Sequence, residues 1–128
     1  MTISSIYIEI TNICNLNCAT CYNRSGLNQS RVELSPDDLR RIIQFFLPMG
    51  LSRVLLSGGE PTLHSRFEEV LALCGEYPGL SFGMTSNGTA NHGAILRFLT
   101  DFDNIAVIMY HLLKLYYIFY FIACFCSP

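Results

Sequence analysis

Isoleucines at 6, 8 and 10 alternate with Tyr7, Glu9 and Thr11. A period of two predicts a β-strand with one apolar face. Residues 22–34 are polar and predict a loop. The period then changes. Leu39, Ile42, Ile43 and Phe46 fall at i, i+3, i+4 and i+7, the stripe of an amphipathic helix. Ser35 can cap its start, Pro36 suits its first position, and Asp37 and Asp38 favour the positive end of its dipole. Pro48 and Gly50 stop it. Arg53 to Leu56 predict a second strand, running into Gly58-Gly59-Glu60-Pro61. Phe67, Val70, Leu71 and Cys74 mark a second helix, ended by Pro78-Gly79. Leu80 to Met84 predict a third strand, running into Ser86-Asn87-Gly88. Ile95, Phe98, Leu99 and Phe102 mark a third helix, and Ile105 to Ile108 begin a fourth strand.

The predicted order is β-α-β-α-β-α-β, with strands starting near residues 5, 53, 80 and 105. Such alternation implies parallel strands joined by right-handed crossovers. Ligands bind such sheets beyond the carboxyl ends of the strands. Three unusual segments converge there: Cys14–Cys21, Gly58–Pro61 and Ser86–Gly88. A closed eight-stranded α/β barrel takes about 200 to 250 residues, and the chain has 128. The expected fold is therefore α/β, a partial (truncated) TIM-type barrel of about four parallel strands followed by an apolar tail.

Composition separates the tail from the rest. Residues 1–104 carry all ten acidic residues and seven of the eight basic ones. Residues 105–128 carry one charge, Lys114, no glycine and seven aromatic residues. The division expected is a core domain over 1–108 and a tail over 109–128. Three readings of the tail compete. A break in the reading frame or gene near residue 108 is favoured by the composition step. A membrane anchor is opposed by Lys114 and by the loss of residues 105–108 to a strand. A helix covering the sheet edge lacks a polar face. An open parallel sheet also predicts poor solubility for the chain alone.

The net charge of -2 gives no electrostatic case for a nucleic-acid partner. Met1 to Cys14 has neither a basic start nor a long apolar run, so no secretory signal is visible. The six cysteines therefore read as thiols of a reducing, cytoplasmic setting.

Three of them, Cys14, Cys18 and Cys21, have the spacing C-x3-C-x2-C. Three soft thiolates within eight residues can wrap one zinc ion or an iron–sulfur cluster. Structural zinc wants four protein ligands, and no fourth lies nearby in sequence. A four-iron cluster on three cysteines keeps one iron open for a ligand. The plainer alternative is three unrelated thiols beside a turn. For Gly58-Gly59-Glu60-Pro61, glycine permits close backbone approach to a ligand, while Glu60 and carbonyls offer acceptors. The alternative is an ordinary turn into a helix. Ser86 and Asn87 offer hydrogen bonds at the same rim, or simply form a turn with Gly88. Cys74 reads as a small core residue, and His64 and His92 as surface residues at helix starts. Glu9 either faces a barrel interior or is solvated. Cys124 and Cys126 lack a partner motif.

In this order, Cys14-x3-Cys18-x2-Cys21, Gly58-Gly59-Glu60-Pro61 and Thr85-Ser86-Asn87-Gly88 resemble the radical S-adenosylmethionine (radical SAM) superfamily over residues 5 to about 108. One departure is Thr20, where the family usually has an aromatic residue; Tyr22 follows the third cysteine instead. The resemblance implies that Cys14, Cys18 and Cys21 ligate a [4Fe-4S] cluster. It implies that S-adenosylmethionine chelates the open iron, with Gly58, Gly59, Glu60 and Pro61 meeting its methionine amino group and Ser86 and Asn87 nearby. The implied parent activity is reductive cleavage to a 5′-deoxyadenosyl radical for substrate modification. The substrate, a small molecule or a peptide, is not legible. An external electron donor such as flavodoxin or ferredoxin is implied. The family's ribose-binding group after strand four is missing, as are strands five onward, so turnover by this chain does not follow. The rivals are a non-catalytic zinc-binding module and a membrane-tethered remnant, with membrane contact only through the tail.

Overall fold

The computed structural model describes residues 2–18, 21, 23–26, 30–101, 105–110 and 119–121. Residues 99, 101, 105–110 and 119–121 are described by backbone alone. Three strands, β1 (Ser5–Thr11), β2 (Arg53–Gly58) and β3 (Ser81–Ser86), pair in chain order, all parallel. Helices α1 (Pro36–Phe46), α2 (Phe67–Gly75) and α3 (His92–Asp101) alternate with them. The backbone of β4 (Ile105–Tyr110) runs parallel beside β3, and that of β5 (Phe119–Phe121) antiparallel beside β4.

Register explains which face is buried. Ile6, Val54 and Phe82 form one row across the sheet, and Ile8, Leu56 and Met84 the next. Side chains two apart share a face, so these rows lie under the helices. Val54, Leu56 and Met84 are fully buried there against Leu39 and Ile43 of α1, Val70 and Leu73 of α2, and Phe98 of α3. The other face carries Tyr7, Glu9, Leu55, Ser57 and Thr85. Glu9 is exposed on it. Strands follow in chain order, and residues of all three helices share one core cluster, so the helices lie on one side of the sheet. That is the winding of a barrel arc, whereas a doubly wound sheet reverses its order midway.

The local signals act as their chemistry requires. Ser35 caps α1, its Oγ accepting from Asp38 N at 3.1 Å and donating to Asp38 Oδ2 at 2.7 Å. The chain leaves α1 through a 3-10 turn at Leu47–Met49 and Gly50 at φ 92°. Asn91, at φ 45°, caps α3 through its side chain, which accepts from Ala94 N at 3.3 Å. Cys74 is buried in the core, as its stripe predicts. His92 is exposed as expected.

His64 corrects the expectation. It is 4% exposed, and its ring ties two segments. Nδ1 accepts from Arg66 N at 3.0 Å, which leaves Nε2 as the donor to Leu34 O at 2.9 Å. The expected loop over 22–34 also contains more order than its polarity suggests. Glu33 bridges to Thr11, and Leu34 N donates to Ile10 O at 2.9 Å. β1 is the edge strand of the sheet, and its pairing with β2 shifts register between Glu9 and Thr11. Successive residues of a strand turn their backbone groups to opposite sides. Thr11 O faces β2, while Ile10 and Asn12 meet residues 32–34.

Phe102, Cys124 and Cys126 lie outside the described residues, as does most of the tail. Among the described residues, no helix is long and apolar enough to cross a membrane.

Candidate functional site

The loops after β1, β2 and β3 meet at the carboxyl edge of the sheet, and hydrogen bonds close them into a ring. The first contact joins the cysteine loop to the Gly58–Pro61 segment. Gly59 N donates to Thr11 O at 2.7 Å, and Glu60 N to Ile13 O at 2.8 Å. Asn23 Nδ2, two residues beyond Cys21, donates to Gly58 O at 3.1 Å. A Cβ on Gly58 would lie 2.0 Å from Thr11 O, and Gly58 has φ 130°. The glycines therefore serve the approach of one loop to another.

The second contact joins the β2 and β3 loops through Glu60. Its side chain is fully buried. Oε1 accepts from Thr62 Oγ1 at 2.6 Å, Ser86 Oγ at 2.8 Å and Thr62 N at 3.3 Å. Oε2 accepts from Asn87 N at 2.7 Å. The expectation that this carboxylate stands open as an acceptor does not match its placement. It is turned inward and satisfied by groups of the chain itself. Pro61 and Thr62, also buried, form a 3-10 turn behind it.

The third contact returns from β3 to the cysteine loop. Asn87 Nδ2 donates to Asn15 Oδ1 at 2.9 Å and stands 3.8 Å from Cys14 Sγ. Asn15 Nδ2 donates to Thr89 Oγ1 at 3.0 Å. The predicted residues Cys14, Gly58, Gly59, Glu60, Pro61, Ser86 and Asn87 thus lie in one connected network. Sequence reasoning missed Asn12, Asn15, Asn23, Thr62 and Thr89. Asn12 anchors the far side, accepting from Val32 N at 2.8 Å and donating to Ser30 O at 2.7 Å. The available signal was the run of asparagines at 12, 15, 17 and 23 around the cysteines.

Cys14, Cys18 and Cys21 are all half-buried free thiols. A tight turn brings Cys21 N to Cys18 O at 3.1 Å. Burial pushes the Cys18 thiol pKa up, and Cys14 and Cys21 push it further. Among the described residues, no three acidic, histidine or cysteine side chains are drawn together as tightly as a bound metal requires. The donor set nevertheless suits a three-thiolate centre. Leu16 N points at Cys14 Sγ at 3.4 Å, a donor aimed at sulfur. The described candidates for a fourth ligand are engaged elsewhere: His64 on Leu34 and Arg66, His92 on Gly88 O, and Cys74 in the core.

A barrel-wound sheet whose carboxyl edge carries a three-cysteine loop, hydrogen-bonded to the two loops beside it, sets out a candidate cofactor site in an α/β protein. Residues 8–112 match the radical SAM superfamily. The chain is 36% identical over 86 residues to the GTP 3′,8-cyclase of Pectobacterium atrosepticum, covering 63% of this chain and 26% of that protein. It is 32% identical over 91 residues to the probable GTP 3′,8-cyclase of Methanothermobacter thermautotrophicus, covering 71% and 30%. Streptococcus suis SuiB, solved bound to S-adenosylmethionine, superimposes with a TM-score of 0.71 at 21% identity, covering 84% of this chain and 25% of that one. SuiB bound to its precursor peptide SuiA gives 0.71 at 23%, covering 84% and 24%.

The chain belongs to the radical SAM superfamily. Its cofactors are those of the family, S-adenosylmethionine and a [4Fe-4S] cluster. It spans roughly a quarter to three-tenths of the length of these relatives.

Proposed function

We propose that residues 1–108 form a partial radical SAM core of about four parallel strands and that residues 109–128 are a separate tail, of which Met109, Tyr110 and Phe119–Phe121 continue the backbone pairing of the sheet. Cys14, Cys18 and Cys21 ligate the cluster. Gly58, Gly59, Glu60 and Pro61 shape the place of the methionine end of S-adenosylmethionine, Glu60 from behind. Ser86 and Asn87 line the same rim. The single observation that carries this reading is the closed ring of hydrogen bonds joining the cysteine loop, Gly59-Glu60 and Asn87.

When bound, the cluster and S-adenosylmethionine supply reductive cleavage of the sulfonium to a 5′-deoxyadenosyl radical. The residues of this chain hold and orient them. Gly58 and Gly59 let the second loop sit directly on the first. Glu60 fixes the third loop, and Asn87 spans from it to the cysteines. The parent activity is substrate modification in the cytoplasm, with electrons from an external donor such as flavodoxin or ferredoxin. The substrate is a small molecule or a peptide. The curated relatives are named for a nucleotide reaction and SuiB was solved with a peptide, so both classes have support.

Anaerobic reconstitution with iron and sulfide tests the cofactor assignment. A brown protein whose reduced-cluster EPR signal changes on adding S-adenosylmethionine supports it. A colourless protein holding one zinc overturns it.

A further inference from the structure

Asn87 reaches the first cysteine from a different loop, and its orientation is forced. Its Oδ1 accepts from Thr89 N at 2.9 Å and from Thr89 Oγ1 at 2.8 Å. A backbone N–H can only donate, so the oxygen of the amide must face Thr89. The NH2 group must then face the cysteine loop, with Asn15 Oδ1 at 2.9 Å and Cys14 Sγ at 3.8 Å. The backbone of Asn87 is held too, its N–H on the buried carboxylate of Glu60 at 2.7 Å. Cys14 Sγ therefore faces two N–H donors. Leu16 N comes from its own loop at 3.4 Å, and Asn87 Nδ2 from the end of β3.

We propose that Asn87 is a positioning residue for the cluster: its amide, locked by Glu60 and Thr89, donates to the Cys14 sulfur and raises the reduction potential of the bound cluster. This rests on the cluster assignment above. Hydrogen bonds to ligand sulfurs and other outer contacts set the potential of iron–sulfur centres, because a donor stabilises the more negative, reduced state. The link also couples the third loop to the cluster, since Glu60 and Asn87 form one chain of contacts from β2 to Cys14.

The test is an EPR-monitored redox titration of the whole chain, reconstituted with iron and sulfide, in native, Asn87→Ala and Asn87→Asp forms. Asn87→Asp keeps the size, the acceptor for Thr89 and the backbone link to Glu60, and replaces the donor with a negative charge, so its shift adds charge repulsion to the loss that Asn87→Ala reads alone. Asn15→Ala is the control, loosening the same loop contact while leaving the Asn87 amide beside Cys14. Iron content is expected to match the native protein in every form. At a potential that half-reduces the native cluster, the reduced-to-oxidised ratio should fall several-fold in Asn87→Ala and about tenfold in Asn87→Asp. Asn15→Ala should stay within about twofold. Should either Asn87 variant precipitate, Asn87→Ser, which also keeps the Glu60 link, replaces it and should show the fall of Asn87→Ala. Full iron with an unchanged ratio in the Asn87 variants overturns the proposal, as does an equal shift in Asn15→Ala. A native chain that takes up no iron and sulfide removes the cluster assignment itself, a separately visible failure.

Discussion

Gly59 lies against Ile13 so closely that a Cβ built on it would fall 2.2 Å from the Ile13 carbonyl oxygen. That oxygen is itself held by Glu60 N at 2.8 Å. The neighbour is backbone, so no side-chain rotation relieves the clash. Gly59→Ala should separate the cysteine loop from the second loop and cost at least about 3 kcal/mol. Equilibrium denaturation should show the loss, and iron uptake on reconstitution should fall with it. A variant of native stability that still takes up iron would mean that the two loops do not meet this way.

Glu60→Gln changes one oxygen of a buried group to an NH2. The four surrounding donors are Thr62 N, Thr62 Oγ1, Ser86 Oγ and Asn87 N. Whichever oxygen becomes the NH2, it meets a backbone N–H, that of Thr62 or that of Asn87, and two donors are opposed at a cost of about 1–3 kcal/mol. Glu60→Ala leaves all four without their acceptor and should cost more. If instead the carboxylate faced solvent, both variants would denature with the native protein. Urea unfolding followed by circular dichroism decides between these outcomes.

The sheet and its helices were legible because each stripe has one period and ends at a recognisable stop. Ile8 and Ile10 are buried and Tyr7 and Glu9 exposed, as alternation requires. Ser35, Pro36 and Asp38 start α1 where the pattern places its start. The meeting of the three loops followed from strand alternation alone. What stayed hidden depends on contacts between distant segments. Glu60 reads identically in sequence whether it faces a ligand or Ser86 and Asn87. His64 stands beside a helix start, and only the return of Leu34 across β1 buries it. The bulge at Glu9–Thr11 leaves no mark in the apolar pattern either.

Thiol reactivity should divide the described cysteines into two sets. Burial in the core pushes the Cys74 thiol up to about 12. A thiol reacts through its thiolate, so native Cys74 should resist alkylation at neutral and mildly alkaline pH. Cys14, Cys18 and Cys21 are half-exposed and should be modified first. Among these, Cys18 should lag, because burial and its two neighbours raise its pKa. Peptide mass spectrometry after timed iodoacetamide treatment reads the order. Loading with iron and sulfide should protect the three loop cysteines and leave Cys74 unchanged. Rapid labelling of Cys74 in the native protein would contradict its place in the core.

Acid should loosen the strap that carries the chain from the cysteine loop into α1. Glu33 accepts from Ser65 N at 2.8 Å and from Ser65 Oγ. Burial works to raise its pKa, but the Ser65 side-chain and backbone bonds, with His64 and Arg31, outweigh it, and the net shift is downward. A depressed folded-state value means stabilisation that is fully present above the ordinary glutamate range. It is lost as pH falls through the folded-state value, where the carboxylate takes up a proton and accepts less well. Glu33 is only partly buried, so solvent screening limits the effect to about 1 kcal/mol or less. Native protein and Glu33→Gln should therefore differ in denaturation midpoint at neutral pH. The two should converge as pH drops below the ordinary glutamate range, with the native curve falling towards the variant. Parallel curves across the whole range would mean that the Glu33–Ser65 contact does not hold the strap.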